Sequence, residues 1–161
     1  MNPQVLSSES SIIVTFLASF LIWVMFGGIA FLWIIDGRVK KELALHAFLA
    51  VVTSWIISEM IKYFFPVMRP FELNGLIPLT ITIPWDNSFP SAHAAVAFSC
   101  AVGIWLHNKS IGNKFLVMAF LVASGRVLSN VHSLLDIIVG AAIGTMVALF
   151  VGKLHVYKLL K

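Results

Sequence analysis

The stretch Gly125–Asp136, GRVLSNVHSLLD, sets Arg126, His132 and Asp136 into a chain that otherwise reads as membrane-spanning hydrocarbon. Ionisable groups at the edge of an apolar span cost free energy, which makes them functional suspects by default. His132 and Asp136 are four residues apart, the spacing that puts two side chains on one helix face. Arg126 and His132 are six apart and would point away from each other on one continuous helix. Ser129-Asn130 supplies the natural break. The expectation is a helix ending near Arg126, a short turn, and a new helix starting near His132.

Working outward, the 161 residues are 60% hydrophobic and only 11% charged, with a mean hydropathy of +0.97. A soluble domain carries about 25% charged residues. The fold class expected is an all-α integral membrane protein, a bundle of about five transmembrane helices forming one domain over residues 1–161. Cys100 is the single cysteine, so no internal disulfide is expected. The first apolar run is too long for a signal peptide and lacks a basic leader, so it reads as a true span.

In chain order, Ile12–Ile35 is helix one, ending at Asp36-Gly37-Arg38, and Leu43–Phe65 is helix two, closed by Pro66. Residues 66–90 hold five of the six prolines and Trp85-Asp86-Asn87, a loop with an aromatic suited to the interface. Ala92–Leu106 is helix three, Phe115–Leu128 helix four and Leu134–Val151 helix five. Helices three and four are short for a full crossing, which suits ends that stop below the surface around a recessed site. A sixth crossing over Leu73–Pro84 is rejected as about half the length required. A re-entrant or interfacial segment is allowed there.

With five spans, Arg38, Lys40, Lys41, Lys109, Lys114, Lys153, Lys158 and Lys161 share one side, eight of the eleven basic residues. Excess Lys and Arg marks the cytoplasmic face, so the N-terminus is expected outside and the C-terminus inside. The net charge of +4 then needs no nucleic-acid partner. The remaining cations, Lys62, Arg69 and Arg126, all fall on the outer side, against the topological trend.

Three clusters therefore meet at one depth: Lys62 with Arg69-Pro70, then Pro90-Ser91-Ala92-His93, then Arg126 with His132 and Asp136. Two guanidiniums and an ammonium suit phosphate oxygens. The free N–H groups of a helix start at Ser91–His93 add donors, and the Ser91 hydroxyl can act as cap and phosphate donor. His132, steadied by Asp136, can attack phosphorus, and His93 can protonate the leaving oxygen.

Taken one at a time, each residue has a blander role. Lys62 and Arg69 can be interfacial snorkellers, and His93 a structural histidine. Glu59, one turn before Lys62, pairs with it structurally. His132 and Asp136 also match a metal-ligand spacing, but no further ligand sits in a motif beside them, so no metal is expected. A serine hydrolase built on Ser91 fits three surrounding cations poorly. His46, His107 and His155 read as non-catalytic. Seven residues in three spacings on one side do not suit the separate roles jointly.

These motifs resemble those of the type 2 phosphatidic acid phosphatase superfamily, integral-membrane lipid phosphatases whose site is shared with vanadium haloperoxidases. Lys62–Pro70 matches that family's K-x6-R-P in full. Pro90–His93 matches P-S-G-H with Ala92 in place of glycine. Arg126, His132 and Asp136 match S-R-x5-H-x3-D, with Gly125 where serine is usual. The resemblance implies that Lys62, Arg69, Ser91, Ala92 and Arg126 bind phosphate, that His93 is the acid, and that His132 with Asp136 is the nucleophile pair. It implies a metal-independent lipid phosphatase or diphosphatase that uses no cofactor and works at the outer face of the plasma (inner) membrane. Undecaprenyl diphosphate is the favoured substrate. Phosphatidylglycerophosphate, phosphatidate and lipid A phosphates remain open, as does phosphotransfer. The non-enzyme alternative is a small anion transporter or channel subunit.

Overall fold

The computed structural model describes residues 8–34 and 38–153. Ile35, Asp36, Gly37, His155, Lys158 and Lys161 lie outside the described residues, as do the side chains of Arg38 and Lys40. The first crossing is α1 (Ser8–Thr15), a π-helical turn (Phe16–Phe20) and α2 (Leu21–Ile34). It is followed by α3 (Arg38–Phe64), the short α4 (Pro70–Asn74), α5 (Ala92–His107), α6 (Lys109–Leu128) and α7 (Leu134–Lys153). Four helical runs are long and apolar enough to cross a membrane, Ser11–Ile34, Lys41–Phe64, Lys109–Leu128 and Leu134–Lys153, and α5 is a shorter apolar helix between them. No strand occurs among the described residues.

The bundle is built around α5. Its sequence, AHAAVAFSCAVGIWLH, is dominated by small residues, and Ala94, Ala95, Ala97, Cys100, Ala101 and Ile104 have no exposed surface. In lipid, where apolar contact alone gives little drive, small residues let helix backbones approach and gain packing. From α3, the repeat Leu43, Ala44, Ala47, Ala50, Val51, Ser54 is buried at helical spacing, and a Cβ on Gly103 would sit 3.1 Å from the Ala47 Cα. On the other side, Gly140 and Gly144 bring α7 so near α5 that an added Cβ would press into the carbonyls of Ser91 and Ala95. Gly144→Val is therefore expected to destabilise the bundle by about 1–3 kcal/mol through overpacking. The check is the thermal unfolding midpoint of detergent-purified protein; an unchanged midpoint would contradict this packing.

Helix six begins at Lys109 rather than Phe115, so it is a full crossing of 20 residues, and of the two helices expected to be short only α5 is, at 16. The reason is a cap: Asn108 Oδ1 accepts the Ile111 N–H at 3.0 Å. That satisfies one of the first-turn donors and allows the polar run KSIGNK to continue the helix into the interface. The start of α7 is Leu134, which leaves His132 in the preceding turn. In the 66–91 connection, α4 closes on Gly75 with φ of 70°, where the absence of a Cβ makes the left-handed turn cheap. Residues 75–91 then continue as irregular backbone without a further crossing.

Candidate active site

Four segments are pinned together at one end of the bundle. The 66–91 connection is tied to the Ser129–Ser133 turn by Phe71 N–H to the Asn130 carbonyl (3.1 Å) and Leu79 N–H to the Ser129 carbonyl (3.1 Å). The Asn74 and Asn130 amides also pair reciprocally at 2.9 Å. Asn130 takes φ of 64°, a conformation Asn tolerates better than most residues and one that reverses the chain between α6 and α7. Ser91 N–H donates to the Asp136 carbonyl at 3.0 Å, locking the start of α5 to the first turn of α7.

This arrangement borders an open-sided cavity of about 670 Å³. Of the eight residues singled out in the sequence, Lys62, Arg69, Ala92, His93, Arg126 and His132 line it. Asp136 stands behind His132. Ser91 is fully buried and serves as N-cap of α5, its Oγ accepting the Ala94 N–H at 3.4 Å; it is not part of the cavity wall. Much of the remaining wall is apolar: Ile22, Trp23 and Phe26 from α2, with Val51, Val52 and Trp55 from α3. One cavity thus joins a cationic end to a hydrocarbon-like flank.

The hydrogen bonds assign the tautomer of His132. Its Nε2 lies 3.3 Å from Arg69 Nη1 and 3.4 Å from Arg126 Nη2. Guanidinium groups only donate, so Nε2 carries the lone pair and Nδ1 carries the proton. Nδ1 faces Asp136 Oδ2 at 3.6 Å and Ser88 Oγ at 3.4 Å. Asp136 Oδ2 in turn accepts Ser88 Oγ–H at 2.6 Å and Ser133 N–H at 2.7 Å. The Asp136 N–H returns a bond to Ser133 Oγ at 3.2 Å, the reciprocal pattern of a capping box. An unprotonated ring nitrogen therefore sits between two arginines, with a fixed carboxylate behind the ring.

Two residues of this network escaped the sequence reading. Asp86 neutralises both cations of the first motif: its carboxylate bonds Lys62 Nζ and accepts from Arg69 Nη2 at 2.6 Å. Burial would raise the Asp86 carboxyl, but Lys62 and then Arg69 outweigh it and hold it at about 2. Ser88 is the second. The available signal for Asp86 was electrostatic: two cations in an apolar setting require a counter-ion, and between residues 66 and 90 only Glu72 and Asp86 are acidic. Glu72 is occupied, its Oε2 accepting the Arg69 N–H at 2.6 Å. Lys62 also bonds Glu59 at 3.2 Å, the pairing expected. Among the described residues no group of three His, Cys, Asp or Glu is placed to hold a metal ion.

A profile of the PAP2 superfamily matches residues 43–159, most of the chain and all three clusters. The chain belongs to the PAP2 superfamily. It is 32% identical over 139 residues to the bacitracin transport permease protein BcrC of Bacillus licheniformis, covering 86% of this chain and 68% of that protein. An undecaprenyl-diphosphatase of Sulfolobus acidocaldarius is 28% identical over 109 residues, covering 67% of this chain and 53% of the relative. The present chain thus spans about half to two thirds of the length of these relatives. In structure it resembles LpxE of Aquifex aeolicus, with a TM-score of 0.75 and 29% identity over 89% of this chain and 86% of that one. This PAP2 protein is an integral-membrane protein, and its all-helical bundle is the expected one.

The site also sets a pH dependence. Burial, aided by Arg126 and Arg69 and only partly offset by the Asp136 carboxylate, pushes the His132 imidazolium down to about 4. His132 is in the turn outside the spans, and its ring is uncharged at neutral pH. Because the folded value lies below the ordinary one, the neutral ring's contribution to stability is complete above about pH 6.5 and is lost as pH falls through 4. The acid limb of kcat/KM, corrected for titration of the substrate phosphate, is expected near pH 4. A limb at or above 6.5 would contradict the geometry.

Proposed function

We propose that this PAP2 protein hydrolyses a phosphomonoester or diphosphate of a membrane lipid, with undecaprenyl diphosphate, cut to the monophosphate and inorganic phosphate, as the favoured substrate. The observation that carries the reading is the lone pair of His132 Nε2 between Arg69 and Arg126, in a cavity with an apolar flank from α2 and α3. Phosphoryl transfer needs mainly positioning and charge stabilisation, and Lys62, Arg69, Arg126 and the Ala92 and His93 backbone at the start of α5 supply both. In the first step a bond forms from Nε2 to phosphorus while the bond to the leaving oxygen breaks. His93 gives that oxygen a proton. Water then attacks the phosphohistidine, His93 takes its proton, and phosphate leaves with His132 restored.

The lipid tail stays against the apolar flank formed by α2 and α3, so the headgroup enters sideways from the bilayer. The cations of the site gather at one end, while Lys41, Lys109, Lys114 and Lys153 stand at the opposite helix ends. This supports an outward-facing site in the plasma membrane, with the C-terminus in the cytoplasm. Polyprenyl diphosphate is favoured by the likeness to the Sulfolobus acidocaldarius undecaprenyl-diphosphatase.

The name of the Bacillus licheniformis relative raises a second reading, transport. A permeation pathway would spread charge through the membrane depth, whereas here the three site cations meet one cavity at one end. The test is phosphate release by purified protein, with chelator present, from undecaprenyl diphosphate, phosphatidylglycerophosphate, phosphatidate and lipid A side by side. Vanadate-sensitive release, fastest on the polyprenyl diphosphate, is expected. No release from any of them would favour transport; a different preferred lipid would replace the substrate.

A further inference from the structure

Gly125 stands where serine is usual in the motif, and the structure supplies a physical reason. A Cβ at Gly125 would meet Ala18 N at 2.7 Å, and the Leu17 carbonyl carbon and Cβ at 2.8 Å each. The nearest contacts are backbone, which cannot swing aside as the end of a flexible side chain can. The backbone in question is the π-helical turn of the first crossing, Phe16–Phe20, where the Leu21 N–H closes on the Phe16 carbonyl, five residues back. Wider turns of this kind are uncommon inside helices and concentrate at functional sites. Here the turn delivers a carbonyl: Ala18 O accepts from Arg126 Nη1 at 3.2 Å. Arg126 is buried, and its other terminal nitrogen is the one beside His132 Nε2.

We infer that the π-turn of the first crossing is a positioning element for Arg126, and that Gly125 is the residue that lets it approach. The Ala18 carbonyl holds one edge of the guanidinium, which fixes where the other edge meets the nucleophile and the phosphate. The profile match begins at residue 43, so this support comes from a part of the chain outside the matched region. The same crossing also forms part of the cavity wall through Ser19, Ile22, Trp23 and Phe26. Gly125 and Ala18 touch neither substrate nor reacting atoms. They act through Arg126, and the inference rests on the phosphatase reading above.

The test restores the usual residue. Gly125→Ser is expected to lower kcat/KM by about 10²-fold, the size of effect a misplacement of about 1 Å produces, and to weaken inhibition by vanadate. Because the effect runs through the arginine, Gly125→Ser should add little further loss in an Arg126→Gln background. Gly125→Ala, which adds only the Cβ, should follow the same pattern. Wild-type activity in Gly125→Ser would overturn the inference, as would losses that multiply with those of Arg126→Gln. It is equally overturned if Gly125→Ser and Gly125→Ala both fail to fold while Arg126→Gln folds, for the contact would then hold the bundle and not the site. An inactive wild type would instead refute the phosphatase reading.

Discussion

His132→Ala is expected to lower phosphate release by at least about 10⁴-fold while the bundle stays folded, since removing a covalent nucleophile costs on this order in enzymes that use one. The imidazole cannot be replaced in place. Its Nε2 lies within 3.4 Å of both arginines, and Asp136 is already committed to Ser88 and Ser133. The loss should appear in kcat, with the substrate lipid still retained, because Lys62, Arg69 and Arg126 remain to bind phosphate. The fold should survive because the Ser129–Ser133 turn is held by other bonds, including Phe71 N–H to the Asn130 carbonyl. Steady-state kinetics beside a thermal melt separate the two outcomes. Release near the wild-type rate from folded His132→Ala would remove the nucleophile assignment.

His93→Gln is the second large effect, and its size should depend on the leaving group. His93 lines the cavity at the first turn of α5, on a different helix from the turn that carries His132. A general acid contributes about 10²–10⁴-fold when the leaving oxygen is basic. A lipid alkoxide needs that proton far more than p-nitrophenolate does. The variant should therefore lose most of its activity on an alkyl phosphomonoester such as phosphatidate, and much less on p-nitrophenyl phosphate or on a lipid diphosphate, whose leaving group is itself a phosphate. Equal losses on phosphatidate and p-nitrophenyl phosphate would show that His93 holds the site together without delivering a proton.

Much of this was legible in the sequence because the membrane makes the reading simple. Long apolar runs mark crossings, and ionisable residues inside such a composition stand out. The three spacings at 62–70, 90–93 and 126–136 therefore led to residues that the fold gathers around one cavity. The start of α6 was less legible, because hydropathy falls in KSIGNK while the Asn108 cap, a local hydrogen-bond signal, keeps the helix going. Asp86 and Ser88 were missed for a different reason. Their part is set by long-range contacts, to Lys62 and Arg69 for one and to Asp136 for the other, which no local period reports. Gly125 was visible as a departure from the motif, but its reason lies in the backbone of a helix more than 100 residues earlier. Ser91 shows the opposite limit: its place before a helix start suggested two roles, and the structure shows the capping one.

The measurement that bears most directly on the central claim is the stereochemical course at phosphorus, followed with a substrate whose terminal phosphoryl group is made chiral by sulfur together with oxygen isotopes. Attack by His132 followed by attack by water inverts the phosphorus twice, so overall retention is predicted. Net inversion would mean that water attacks the lipid phosphate in a single step, and would contradict the account.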